Sequence, residues 1–244
     1  LAAADPVPAV LATPGPGSSV SAIPELAVRI GADRAEGVAL RLKFTGGGGI
    51  AIREILAGNA QFGVFGLSAA MNENLTEPRL VALAAVEDRA PLVLLVRLSL
   101  KGKVQRVAAL RGRAVGVHSN SLSTTTNAQQ VLSLLLRRDG LAMQDVRIVA
   151  AGQSWETQAA ALRSGLVDAV VAEEPFGLRL EQEGLAFALL RLGLRDRRIG
   201  LPGEGFLRGT LITTPALVER EPQLAERLVR VVQRFAGFTL LDVT

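Results

Sequence analysis

Cysteine is absent from this 244-residue chain, and that absence removes disulfides, thiolate zinc sites and cysteine nucleophiles together. A single histidine, His118, leaves no histidine set to hold a metal. Tyrosine is missing too, and 1 tryptophan with 8 phenylalanines, mostly at core-like spacing, offers no aromatic surface on which bases would stack. The 27 basic residues exceed the 23 acidic ones to give a net charge of +4, yet they are dispersed, with a local cluster at Arg195, Arg197 and Arg198. A nucleic-acid partner needs a concentrated basic stripe, so none is expected. No run of about 18 uncharged apolar residues occurs; the longest candidate, Pro91 to Val96, has the length of a strand. Gly-x-Ser-x-Gly does not occur, and Gly46 to Gly49 is followed by Ile50, Ala51, Ile52 and Arg53 without the lysine of a phosphate loop. Gly15-Pro16-Gly17 lacks the third glycine of a dinucleotide fingerprint. The reading is of a protein that is no enzyme and uses no cofactor or metal.

What the chain does contain is one structural unit written twice, 107 positions apart. Phe44-Thr45-Gly46-Gly47-Gly48-Gly49 leads into an apolar-periodic stretch ending at Gly58, then the extended run Phe62 to Gly66. The counterpart runs from Ala151-Gly152-Gln153 through Arg163-Ser164-Gly165 to Leu166-Val167-Asp168-Ala169-Val170-Val171. Each reads as a glycine-bearing loop, a helix, a glycine stop and a strand, because a left-handed residue ends a helix and patterning then reverts to extended. Two such half βαβ units predict two similar α/β lobes facing a cleft, where function is to be sought.

Along the chain the pattern predicts strands at Val7 to Ala12, Val38 to Phe44, Phe62 to Leu67, Leu80 to Val86 and Leu92 to Val96. Helices are predicted after Ser18-Ser19, through the repeat stretch and over Ser68 to Asn74. The basic, glycine-containing link Leu100 to Arg106 marks a crossing into a second lobe. There, strands are expected at Ala114 to His118, Val146 to Ala150, Val167 to Ala172 and Leu185 to Leu190, with a helix carrying Ala128, Val131, Leu132 and Leu135 on one face. Arg191 to Gly205 is the return path, Gly209 to Thr213 a strand, and Leu224, Leu228, Val231 and Phe235 the apolar face of a closing helix. The domain boundaries expected are 1–98 with 200–244 for lobe I and 99–199 for lobe II.

Five loops follow strands: Gly15 to Ser19, Thr45 to Gly49, Gly66-Leu67-Ser68, His118 to Thr124 and Glu173-Glu174-Pro175. Four are built mainly from Gly, Ser, Thr or Asn just ahead of a helix, where unpaired N–H groups and the positive end of the dipole suit an oxyanion. Capping and turn formation account for any one of them alone. Trp155 either covers a ligand or packs between helices. Glu174 reads as a structural residue before Pro175, Glu173 is open between that role and a ligand ammonium, and His118, at a strand end, either donates to an anion or is, as a lone histidine more often is, a hydrogen-bonded bystander.

The stretch Leu110-Arg111-Gly112-Arg113-Ala114-Val115-Gly116-Val117, a Ser/Thr-rich cap, a helix ending Arg138-Asp139-Gly140-Leu141, and then Ala161 to Val171 with Glu174-Pro175 resembles the second lobe of the nitrate/sulfonate/taurine, NMT1-like, group of ABC-transporter solute-binding proteins. Ala57-Gly58 and the strand ending Phe65-Gly66 are similar to its first lobe. The resemblance covers residues 7 to 240 and is most specific over 105 to 175. It departs at Ile23-Pro24-Glu25-Leu26-Ala27, where relatives are aromatic-rich, and at the four-glycine turn.

That resemblance implies a type II periplasmic-binding-protein fold, two α/β lobes with a central cleft and two interlobe crossovers. It implies a monomer that delivers a small, anionic, sulfonate-like ligand to an ABC membrane permease. The ligand contacts carried over are Ser18, Ser19, Gly47, Gly48, Leu67, Ser68, Ser119, Asn120, Ser121, Thr124 and Glu173, with Trp155 beside them. The same fold houses porphobilinogen deaminase and thiamine-pathway pyrimidine synthases, both of which need cysteine. Leu1-Ala2-Ala3-Ala4-Asp5-Pro6 resembles the end of a secretory signal, the other reading being an internal boundary of a longer chain; the expected location is periplasmic. The rival function is a ligand-sensing input domain of the same fold in a regulatory protein, and Leu240 to Thr244 reads as a point beyond which the chain continues.

Overall fold

The computed structural model describes residues 5–87, 91–123, 125–192 and 209–236. The expectations placed on residues 1–4, Thr124, the arginine-rich return path and the last eight residues lie outside these. The chain divides into two compact units, one holding the described residues 5–87 and 209–236 and the other those between 91 and 192.

In chain order, β1 (Val7–Thr13) runs parallel to β2 (Val38–Phe44), with Val7 opposite Val38 and Thr13 opposite Phe44. Between them lie α1 (Ser19–Arg29) and the single turn α2 (Ala32–Ala35). The glycine turn opens α3 (Gly48–Leu56), and β3 (Phe62–Gly66) leads directly into α4 (Leu67–Asn74), then β4 (Val81–Ala85). The next strand, β5 (Leu92–Arg97), belongs to the second unit, followed by two short 3-10 turns, β6 (Ala114–Val117), α5 (Asn127–Arg138), β7 (Arg147–Ala150), α6 (Trp155–Arg163), β8 (Ala169–Glu173), α7 (Phe176–Gln182) and β9 (Ala186–Arg191). Back in the first unit come β10 (Gly209–Thr213), α8 (Pro215–Arg220) and α9 (Pro222–Ala236).

The sheets are ordered β2-β1-β3-β10-β4 and β7-β6-β8-β5-β9. In each, the fourth strand is antiparallel to the third and arrives from a distant part of the chain. The predicted repeat is present at its predicted spacing: α3 and α6 span Gly48–Leu56 and Trp155–Arg163, and β3 and β8 span Phe62–Gly66 and Ala169–Glu173. The stops Gly58 and Gly165 have φ of 76 and 73, a left-handed backbone that a side chain would strain.

One boundary differs from expectation. The chain changes unit ahead of β5, not after residue 98, and the link Leu100 to Arg106 sits within the second unit. The cause is legible in β5 itself: Leu92 to Val96 is apolar on both faces, a pattern that fits only a central strand, and it pairs with β8 on one side and β9 on the other. The expected return boundary at 199–200 lies outside the described residues.

Period-2 alternation distributes the first sheet's side chains to two cores. Leu11, Val64 and Leu211 enter one with Leu224, Leu228 and Val232 of α9, while Ala12, Phe65 and Ile212 enter the other with Ile52 and Ile55 of α3. Each such buried aliphatic side chain stabilises the fold by about 1.5–3 kcal/mol. The polar face of α9 is tied down by Arg230 and Arg234 on Glu36 and by Arg227 donating to the Gly37 carbonyl. In the second unit α5 begins with a capping box of Thr126 and Gln129 and buries Val131, Leu132, Leu135 and Leu136; Val93, Leu95, Val170 and Leu180 form a core with Ala159 and Leu162 of α6.

Candidate functional site

In the first unit three helices begin at the carboxyl edge of the parallel strands. Ser18 is the N-cap of α1 and is fully buried. Its hydroxyl accepts from the Ser21 N–H at 3.3 Å and donates to Ser21 Oγ at 3.0 Å. Ser21 passes the chain on to Thr13 Oγ1 at 2.8 Å, which donates to the Val64 carbonyl at 3.1 Å. The Ser18 hydroxyl, expected to meet a ligand, is therefore engaged in joining α1 to β1 and β3. Ser19 opens α1 with its Oγ shielded from solvent and without a hydrogen-bond partner among the described residues.

The loop after β2 is stitched to the loop after β1 by the Thr45 N–H on the Thr13 carbonyl, 2.9 Å, and the Gly46 N–H on the Pro14 carbonyl, 2.6 Å. Gly47 is the N-cap of α3 and Gly66 that of α4; neither gives a side-chain cap, and neither helix has an acidic residue in its first turn. The two starts are neighbours, since a Cβ on Gly48 would lie 3.4 Å from Ala69 Cβ and 3.5 Å from the Phe65 ring. Leu67 and Ser68 are the first two residues of α4, with Ser68 buried. Two helix dipoles thus end side by side with no carboxylate or capping oxygen of their own helices to complement them.

The second unit closes its helix starts instead. The Ser154 hydroxyl accepts from the Thr157 N–H at 3.2 Å to cap α6. Glu156, in the same first turn, has its carboxyl held below the usual range by its own backbone N–H and by Ser154. Ser119 Oγ donates to the Ser121 carbonyl at 2.7 Å and accepts the Ser121 N–H at 3.2 Å, and Ser121 Oγ shares a hydrogen bond with Ser123 Oγ at 2.8 Å. These serines form a self-bonded turn, with Asn120 exposed between them.

Beneath that turn lies a buried polar cluster. Gln158, fully buried on α6, donates its amide nitrogen to His118 Nδ1 at 2.7 Å and to the Gly152 carbonyl at 3.2 Å. Gly152 in turn donates to the Ser119 carbonyl at 2.9 Å. Only an amide nitrogen can serve the Gly152 carbonyl, so Nδ1 accepts and the imidazole carries its hydrogen on Nε2. Burial pushes the His118 pKa down to about 4, so the ring is neutral at physiological pH. Its face stacks on Phe176, centroids 5.9 Å apart, and Nε2 is 3.7 Å from a Glu173 carboxylate oxygen. Glu173 itself is buried at the end of β8. Glu174 accepts from the Leu178 N–H and pairs with Arg191, which fixes the start of α7.

Trp155 is a packing residue. Its ring joins the core formed by Ala159, Leu162 and Leu180, with the Arg179 guanidinium 3.7 Å from the ring centroid and Arg163 on it at 5.7 Å. Thr124 lies outside the described residues. The structure brings Gly47, Gly48, Leu67 and Ser68 together in one unit, and Ser119, Asn120, Ser121 and Glu173 in the other. Sequence reasoning missed Gln153 and Gln158 and gave His118 no part. A signal for Gln158 was present: it occupies the position of the repeat at which α3 buries Ala51.

Residues 34–241 match the family model described as NMT1/THI5 like. No curated protein matches the sequence. Among solved structures, a Bordetella bronchiseptica RB50 protein is 22% identical with a TM-score of 0.83, over 93% of this chain and 70% of that one. The alkanesulfonate-binding protein SsuA from Xanthomonas axonopodis pv. citri, bound to MOPS, is 17% identical with a TM-score of 0.75, over 98% and 76%. A Candida albicans protein described as having the generic periplasmic binding protein fold is 10% identical with a TM-score of 0.70, over 96% and 72%. The fold is that of the periplasmic binding proteins, and the chain belongs to the NMT1/THI5-like family.

Proposed function

We propose that this protein is the extracytoplasmic solute-binding component of an ABC importer, a periplasmic monomer that hands a small ligand to a membrane permease and catalyses no reaction. One observation carries the reading: the adjacent starts of α3 and α4, capped only by Gly47 and Gly66 and free of acidic first-turn residues. Backbone N–H groups at two neighbouring helix ends complement an anionic, sulfonate-like group, and glycine lets that group approach closely. Of the carried-over contacts, Gly47, Gly48, Leu67 and Ser68 hold the anionic end in this proposal, and Ser119, Asn120, Ser121 and Glu173 belong to the unit that completes the grip. A ligand engaged by both units favours the closed arrangement, because only that arrangement makes both sets of contacts. The likeness to a sulfonate-binding structure and the family membership support this reading.

Thermal-shift measurement against nitrate, sulfate, ethanesulfonate, 2-aminoethanesulfonate and small carboxylates tests it. A true ligand at 100 times its dissociation constant adds about 2.7 kcal/mol to the native state, a rise of several degrees. A flat response to every anion contradicts the proposal.

A further inference from the structure

The polar cluster of the second unit is left with hydrogen-bonding groups that the protein does not satisfy. Gln158 Oε1 is buried without a partner among the described residues, as are Gln153 Oε1 and His118 Nε2, and all three residues are more than nine-tenths buried. The Gln158 amide is held in one orientation by the Gly152 carbonyl, so its oxygen is an acceptor by necessity. That same bond sets the imidazole as an Nε2–H donor, and the Glu173 oxygen, 3.7 Å away, is too far to accept it. The fold does not demand an amide here, since the repeat buries Ala51 at the equivalent helix position. Buried polar groups left unmatched are costly, and they persist where something else completes them.

We propose that His118 and Gln158, with Gln153 next to Gly152 in the chain, form a ligand subsite at the carboxyl edge of β6 and β7 for a group carrying an N–H donor together with an acceptor: a primary amide. An oxyanion offers acceptors alone. It satisfies the imidazole N–H and sets its lone pairs against the Gln158 oxygen, whose orientation is fixed. An amide-like group gives a hydrogen to Gln158 Oε1 and takes the one from His118. The inference rests on the solute-binding reading and sharpens it: the ligand is amide-like where it meets the second unit.

Because His118 is the chain's one histidine, its ring nitrogens are a single-residue reporter in 15N NMR. The test titrates the protein with acetamide and, separately, with acetate. The expected result is a ring already in the Nε2–H form whose Nε2 resonance moves saturably with acetamide, with acetate at least tenfold weaker. Gln158→Met, checked for native circular dichroism, loses the acetamide response and shows mixed tautomers; should that variant not fold, the wild-type titrations decide alone. Equal responses to acetate, or no saturable response to acetamide, overturn the subsite and leave internal water as the partner of these groups. Anions that stabilise the protein while the His118 titration stays flat remove the subsite alone. An acetamide response with no compound stabilising the protein in the thermal screen removes the importer reading alone.

Discussion

The two units share a strand order and, at fixed spacing, a helix and strand that match residue for residue, yet they finish the carboxyl edges of their sheets with different chemistry. In the first, the repeat helix is capped by Gly47 and the strand β3 ends in Gly66, neither of which has a side chain to cap the helix that follows. In the second, the matching helix is capped by Ser154 and carries Glu156 in its first turn, and β8 ends in a buried Glu173. Where one unit gives its repeat helix no side-chain cap, the other caps it with Ser154. It then places polar groups, His118 and Gln158, under the turn instead. A duplicated scaffold can therefore present a positive, backbone-lined edge on one copy and a side-chain edge on the other without altering the sheet.

The largest expected effect on that contrast is at Gly152, whose φ is 84 and whose added Cβ would stand 2.1 Å from Thr157 Oγ1. Gly152→Ala is expected to destabilise the second unit by about 4 kcal/mol, from backbone strain and overpacking together, measured by urea unfolding. Hydrogen exchange should show the loss in that unit first.

Acid comes next. His118 titrates near 4 when folded and near 6.5 when unfolded, so between these values the unfolded chain binds a proton that the folded one does not. Its contribution is complete above about pH 6.5 and is lost as pH falls toward 4, roughly 3 kcal/mol in all. Comparing His118→Gln with wild type across that window isolates it. A wild-type curve with the same slope as the variant would show the ring to be less buried than described.

The smallest effects lie at the caps. Ser154→Ala is expected to cost about 1 kcal/mol, and Gly47→Asp sets a capping gain of a few tenths of a kcal/mol against backbone strain of about 1 kcal/mol, because φ 159 with ψ 153 favours glycine. The aspartate also places a carboxylate where the anion is proposed to sit, so thermal stabilisation by a bound anion should drop at least tenfold in apparent affinity. Anion binding undiminished in that variant moves the site elsewhere.

Much of this architecture was readable before any coordinates. The 107-residue repeat predicted α3, α6, β3 and β8, because glycine stops and a change of hydrophobic period are local signals. The loops that line the edge were readable for the same reason. What was not readable depended on who pairs with whom. The unit assignment of β5 follows from ladder partners distant in sequence, and a basic link after it drew the boundary too late. Ser18 shows the limit at the site: a serine ahead of a helix is a cap or a contact, and only the bonds to Ser21 decide. Gln158 could have been suspected from its alignment with Ala51, but its meeting with His118 is a product of the fold.

The central claim is that an anion is held by the open starts of α3 and α4, and titrating 15N-labelled protein with ethanesulfonate measures it most directly. The account predicts saturable shifts of the Gly48, Gly49, Leu67 and Ser68 amides, with the Ser154 to Thr157 amides unmoved. Shifts confined to α6, or no saturable shift in either group, would contradict it.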